Sequence, residues 1–132
     1  MSPFPWQTTR LPAQRTVVAP DGSDVRVLLM LAAGGMAHFE LGAGHTSRAV
    51  VHRTVEEIWY FLGGRGEMWR GHGKEEETVA VSAGICLTIP VGTRFQFRCL
   101  GPEPLSALGV TMPPWPGPDE AQEASGPWAP TV

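Results

Sequence analysis

The sequence predicts an all-β chain closed into one antiparallel barrel or sandwich. Between Asp24 and about Pro113, apolar residues come in short or alternating runs broken by glycine at nearly even spacing. No window sustains a helical period of 3.6 residues. The length of 132 residues, with 42% hydrophobic and 17% charged, suits one domain that buries a single core.

The elements follow in order. Residues 1–23 are rich in Pro and Thr and read as an irregular arm ending in the turn signal Pro20-Asp21-Gly22-Ser23. Strands are expected at Val25–Leu31 and Met36–Leu41, with a turn at Gly34-Gly35 between them. In the second of these, Ala37, Phe39 and Leu41 share one face, and His38 and Glu40 the other. Arg48–His52 is short and extended. Glu57–Leu62 is aromatic and β-branched, and Gly63-Gly64 closes it. Glu67–Arg70 leads to a polar tip at Gly71–Lys74, followed by the solvated charge run Glu75-Glu76-Glu77. Thr78–Ser82, Ile85–Ile89, Phe95–Leu100 and Leu105–Thr111 complete a barrel over residues 24–112. From 113 the chain is Pro-rich and cannot join a ladder as a donor at those prolines. The tail is expected to lie across the barrel with Trp115 and Trp128 as pegs, packed over residues 113–118 and looser beyond Asp119.

Bulk properties narrow the function. A net charge of -3 offers no basic footprint for nucleic acid. Nine of the ten basic residues are Arg, with Lys74 the exception, a bias in keeping with genome composition. No apolar run approaches the ~20 residues that cross a bilayer as a helix. Met1–Trp6 lacks the basic start and apolar stretch of a secretory leader, so a soluble, cytoplasmic protein is expected. Cys86 and Cys99 are too few for a disulfide scaffold and read as small buried apolar residues.

Two glycine frameworks carry the sharper signal. The first is Gly44, five residues, Val50, one residue, His52, four residues, Glu57, six residues, Gly64. The second is Gly84, five residues, Pro90, one residue, Gly92, two residues, Phe95, three residues, Cys99. Together they resemble the paired motifs of a small single-domain cupin. The resemblance implies an antiparallel β-barrel of the double-stranded β-helix, jelly-roll-like kind, and commonly a homodimer. It also implies a divalent ion held by two His and a Glu from the first motif and a His from the second. The matching residues here are Val50, His52, Glu57 and Phe95, so two of the four ligand positions are apolar. No cofactor is therefore expected. The alternative is a divalent metal (Fe, Mn, Ni or Zn) on His52, Glu57 and a third ligand, with His38 as the candidate. His45 and His72 read as solvated loop residues.

Alternation extends the site. If His52, Glu57 and Phe95 point inward, so do Arg48 and Val50, Trp59 and Phe61, and Phe97. That lining is an aromatic cavity with a charged cluster near one end. It suits an apolar or aromatic small molecule with one polar or anionic group. The same aromatics, Phe61 and Phe97 above all, could simply fill the barrel. Glu57 among aromatics should have a raised pKa unless His52 or Arg48 pairs with it. Three functions remain open: a metal-independent isomerase, cyclase or lyase using His52 and Glu57; a metal-dependent dioxygenase or isomerase; and a non-catalytic binding or sensor module.

Overall fold

The structure, a computed structural model, describes residues 4–132; the first three residues of the arm lie outside the described residues. Eleven strands form two antiparallel sheets among the described residues. They are β1 (Val17–Val18), β2 (Asp24–Leu31), β3 (Gly34–Leu41), β4 (Val50–His52), β5 (Glu56–Gly63) and β6 (Arg65–His72). Then come β7 (Glu75–Ser82), β8 (Cys86–Ile89), β9 (Arg94–Cys99), β10 (Leu105–Met112) and β11 (Ala121–Glu123). One sheet has the order β1-β2-β3-β10-β5-β8, the other β11-β4-β9-β6-β7. Among the described residues no helix is long and apolar enough to cross a membrane.

Alternation decides which side chains meet between the sheets. Along β5, Glu57, Trp59 and Phe61 are buried while Glu56, Ile58, Tyr60 and Leu62 are exposed. Phe95, Phe97 and Cys99 enter from β9, Met68 from β6, and Leu105 and Ala107 from β10. Gly44, Gly64, Gly84 and Gly92, the motif glycines, all have positive φ, at 77°, 75°, 92° and 80°. Any residue with a Cβ would be strained there, which is the physical content of the two frameworks.

Three local expectations are corrected. The β2–β3 turn falls at Ala32-Ala33, and Gly34-Gly35 belong to β3. Those glycines serve close approach instead: a Cβ on Gly34 would lie 2.9 Å from the Thr111 carbonyl oxygen of β10. Cys86 is exposed, because β8 turns Leu87 and Ile89 inward; Cys99 alone is buried. Finally, the chain beyond Asp119 is laid onto the barrel. β11 pairs with β4, the otherwise open edge of its sheet. Past it, Ala124 N–H donates to the Ala49 carbonyl and Thr131 N–H to that of Thr46. The buried Gln96 donates to the carbonyls of Ser47 and Trp128, each at 2.8 Å, and accepts from Trp128 N–H at 3.1 Å. An edge strand needs partners for its polar backbone, and the tail supplies them.

Candidate functional site

A cavity of about 560 Å³ opens between the sheets at the end where the arm and tail cross the barrel. β4 delivers Val50 and His52, β5 Glu57 and Trp59, β9 Phe95, and β10 Thr111. Val25, Ala37 and Phe39 extend the wall formed by β10 and β5, facing Val50, His52 and Phe95 of the other sheet, and Val17–Asp21 of the arm and Trp115 of the tail complete the lining. Phe39 stacks on Trp59 with centroids 4.6 Å apart, and the edges of Phe95 and Trp115 meet His52 at 5.2 and 5.0 Å.

The polar groups are few and buried. His52 Nδ1 lies 3.3 Å from Glu57 Oε2, with side chains 6% and 2% exposed. The contact is off line for a full hydrogen bond, and neither His52 Nδ1 nor Trp59 Nε1 has a hydrogen-bond partner in the protein. Burial pushes Glu57 up to about 8; the nearby Trp59 N–H moderates the rise without reaching hydrogen-bond geometry, and the Asp21 carboxyl adds to it. Burial likewise pushes His52 down to about 4, against the opposing pull of Glu120. At neutral pH the pair is therefore a carboxylic acid beside a neutral imidazole rather than an ion pair.

Five of the anticipated lining residues meet in the cavity: Val50, His52, Glu57, Trp59 and Phe95. Four others do not. Arg48 is exposed and its guanidinium donates to the Val132 carbonyl, because the chain breaks alternation before β4 and buries both Ala49 and Val50. Phe61 and Phe97 are core, packed behind Trp59 at 6.0 and 5.2 Å. His38 is buried on the outer side of β3, with Nδ1 3.5 Å from Arg26, which in turn binds the arm carbonyls of Pro12 and Ala13. It faces away from Ala37 and Phe39, so it is not a third ligand beside His52 and Glu57.

Asp21, Phe39, Thr111 and Trp115 were not anticipated as lining. Phe39 was legible, since it shares its face with Ala37 and Leu41. Asp21 looked like turn chemistry, and it is that too: its Oδ1 accepts from Ser23 N–H and Ser23 Oγ. Glu120 also escaped notice. Its carboxylate accepts from the N–H groups of Thr54 and Val55 and the Thr54 hydroxyl, tying the tail to the loop before β5. Burial alone would raise its pKa, but those bonds together hold it below the ordinary value.

The donor set does not fit a resident metal. Val50 and Phe95 offer no donor atom, and no group of three or more His, Cys, Asp or Glu side chains converges among the described residues.

Two antiparallel sheets packed face to face around a shared core define a jelly-roll-like β-barrel. The family model described as cupin domain matches residues 36–111, and the chain belongs to that family. No curated protein matches it. Among solved structures, it resembles an uncharacterized conserved protein with a double-stranded β-helix domain from Klebsiella pneumoniae, at TM-score 0.65 and 20% identity over 79% of this chain and 85% of that one. A predicted oxalate decarboxylase from Thermotoga maritima matches at TM-score 0.59 and 22% identity, covering 68% and 79%. Lactobacillus farciminis oxalate decarboxylase, in a formate complex, matches at TM-score 0.64 and 20% identity, covering 76% of this chain and 31% of that one. Likeness at this level of identity establishes the fold alone.

Proposed function

We propose that this cupin is a metal-independent acid–base enzyme, of isomerase, cyclase or lyase type, acting on an apolar or aromatic small molecule. One observation carries the reading: the His52–Glu57 contact of 3.3 Å on the wall of an aromatic cavity. The two groups are displaced in opposite senses, Glu57 to about 8 and His52 to about 4. Such a split assigns roles. Glu57 carries its proton at neutral pH and is the acid. His52, uncharged with a free ring nitrogen, is the base. Trp59, Phe95 and Phe39 exclude water and hold the apolar body of the substrate.

The test begins with ligands found by thermal shift and follows their conversion by product analysis. Turnover should persist in chelator and fall by about 100-fold or more in Glu57→Gln, the scale of a lost acid–base group. Ligand affinity in that variant should stay close to wild type. Unchanged turnover in Glu57→Gln overturns the reading, and loss of turnover in chelator transfers it to a metal-dependent cupin. Tight binding with no conversion of any ligand identifies a binding module instead.

A further inference from the structure

Among the described residues the cavity carries acidic side chains and no Arg or Lys. Two carboxyl side chains line it, Asp21 and Glu57, at 4% and 3% exposure. Among the described residues neither has a Lys or Arg partner. The basic residue expected at the mouth, Arg48, is turned outward to Val132. A small dianion would thus enter a buried site with no positive counter-charge, at a steep electrostatic cost.

Asp21 is the residue that the acid–base chemistry leaves unused. It sits in the loop between β1 and β2, where Ala19 N–H bonds to the Ser23 carbonyl and Gly22 takes a φ of 91°. Its Oδ1 is committed to Ser23, at 2.9 Å from the N–H and 2.6 Å from the hydroxyl. Oδ2 makes no hydrogen bond to the protein, although the residue borders the cavity. Burial raises the Asp21 pKa, with the Ser23 bonds opposing the rise. Ser23 therefore fixes the carboxyl in place and leaves one oxygen to a ligand. Phe39, Trp59, Phe95 and Trp115 line the same cavity, and aromatic rings attract cations where water is excluded. His52 Nδ1 and Trp59 Nε1, on residues that line the cavity, make no full hydrogen bond to the protein.

We propose that the cavity selects a cationic ligand, an aromatic or cyclic amine or quaternary ammonium compound, with Asp21 as the residue that receives its positive group. The inference rests on the reading of this cavity as the substrate site, and it names the substrate class. Glu57 and His52 stay free for proton transfer, while Asp21 and the aromatic rings receive the ligand's positive group.

Three probes of one shape decide it: benzylamine, benzyl alcohol and benzoate, titrated by calorimetry at pH 7 against the full chain. The benzylammonium ion should bind at least about ten-fold more tightly than either of the others, equivalent to about 1.4 kcal/mol. Benzyltrimethylammonium should retain that advantage, since ring faces need no N–H. In Asp21→Asn, which keeps the Oδ1 acceptor for Ser23, the advantage should shrink to within about two-fold while benzyl alcohol binds as before. In Glu57→Gln the preference for the amine should persist even though turnover is lost, so failure of the catalytic reading and failure of this one are told apart. Benzyl alcohol or benzoate binding as tightly as benzylammonium in the wild type, or no binding of benzylammonium at all, overturns the proposal without recourse to any variant. An unchanged amine preference in folded Asp21→Asn overturns the role of Asp21.

Discussion

His52 Nδ1 and Glu57 Oε2 lie 3.3 Å apart, yet burial drives their proton affinities in opposite directions. That relationship has a signature in stability. A carboxyl that keeps its proton up to about 8 in the fold, against 4.5 when exposed, favours folding at low pH and loses that advantage as pH rises through 8. His52, lowered from 6.5 to about 4, does the opposite: its contribution is present above 6.5 and lost as pH falls toward 4. Between 4.5 and 6.5 the two slopes oppose each other, and above 6.5 Glu57 dominates. Wild-type stability from urea titrations should therefore fall by about 2 kcal/mol between pH 6.5 and 8. Glu57→Gln, which cannot ionise, should flatten that decline; a variant with the same slope as wild type would contradict the assignment.

Gly109 sets the room for the aromatic wall. It stands opposite Ala37 and Trp59 in the β-ladders, and a Cβ there would lie 2.5 Å from Phe39 and 3.2 Å from the Trp59 indole nitrogen. Gly109→Ala should force the Phe39–Trp59 stack apart and cost about 1–3 kcal/mol in chemical denaturation. Ligand affinity should drop with it. Full stability together with full affinity would show that the rings yield without cost.

The fold was legible because its signals are local. Alternation along β5 and the positive-φ glycines are written in short stretches of sequence and need no partner to be read. The site was legible only in part, because its remaining members arrive from afar. Trp115 reaches the cavity through a Pro-rich tail whose composition resembles a loose end, and that tail is held by the open edge of β4 and by the side chains of Glu120 and Gln96. Arg48 was misplaced for a converse reason. Period-2 alternation places Arg48 inward only if the strand extends two residues before its actual start at Val50, and in that segment Ala49 and Val50 are both buried.

The attachment of that tail can be broken at one side chain. Gln96 is 1% exposed and spans Ser47 and Trp128 with three hydrogen bonds. Gln96→Ala should cost about 2 kcal/mol, since it leaves buried backbone groups unpaired. Chymotrypsin should then cut after Trp128 well before the barrel is digested, whereas in the wild type cleavage there should wait on global unfolding. Equal cleavage rates in the two proteins would mean that β11 alone secures the tail.

The missing metal donors can be restored. Val50 and Phe95 are direct partners across β4 and β9, both buried at the cavity wall beside His52 and Glu57. Replacing both with His would set three imidazoles and a carboxylate around one point, a donor set suited to divalent ions. The apo double variant Val50→His/Phe95→His should be less stable than wild type by about 3 kcal/mol, from lost packing and newly buried polar rings. Divalent ions should then offset the loss, because a ligand that binds only the folded state raises its melting temperature. Melting curves with and without micromolar Mn²⁺, Ni²⁺ or Zn²⁺ would read this directly. The double variant should gain several degrees and the wild type none. A comparable rise in the wild type would show that His52 and Glu57 already suffice for a metal, and the metal-independent reading of the cavity would fall with it.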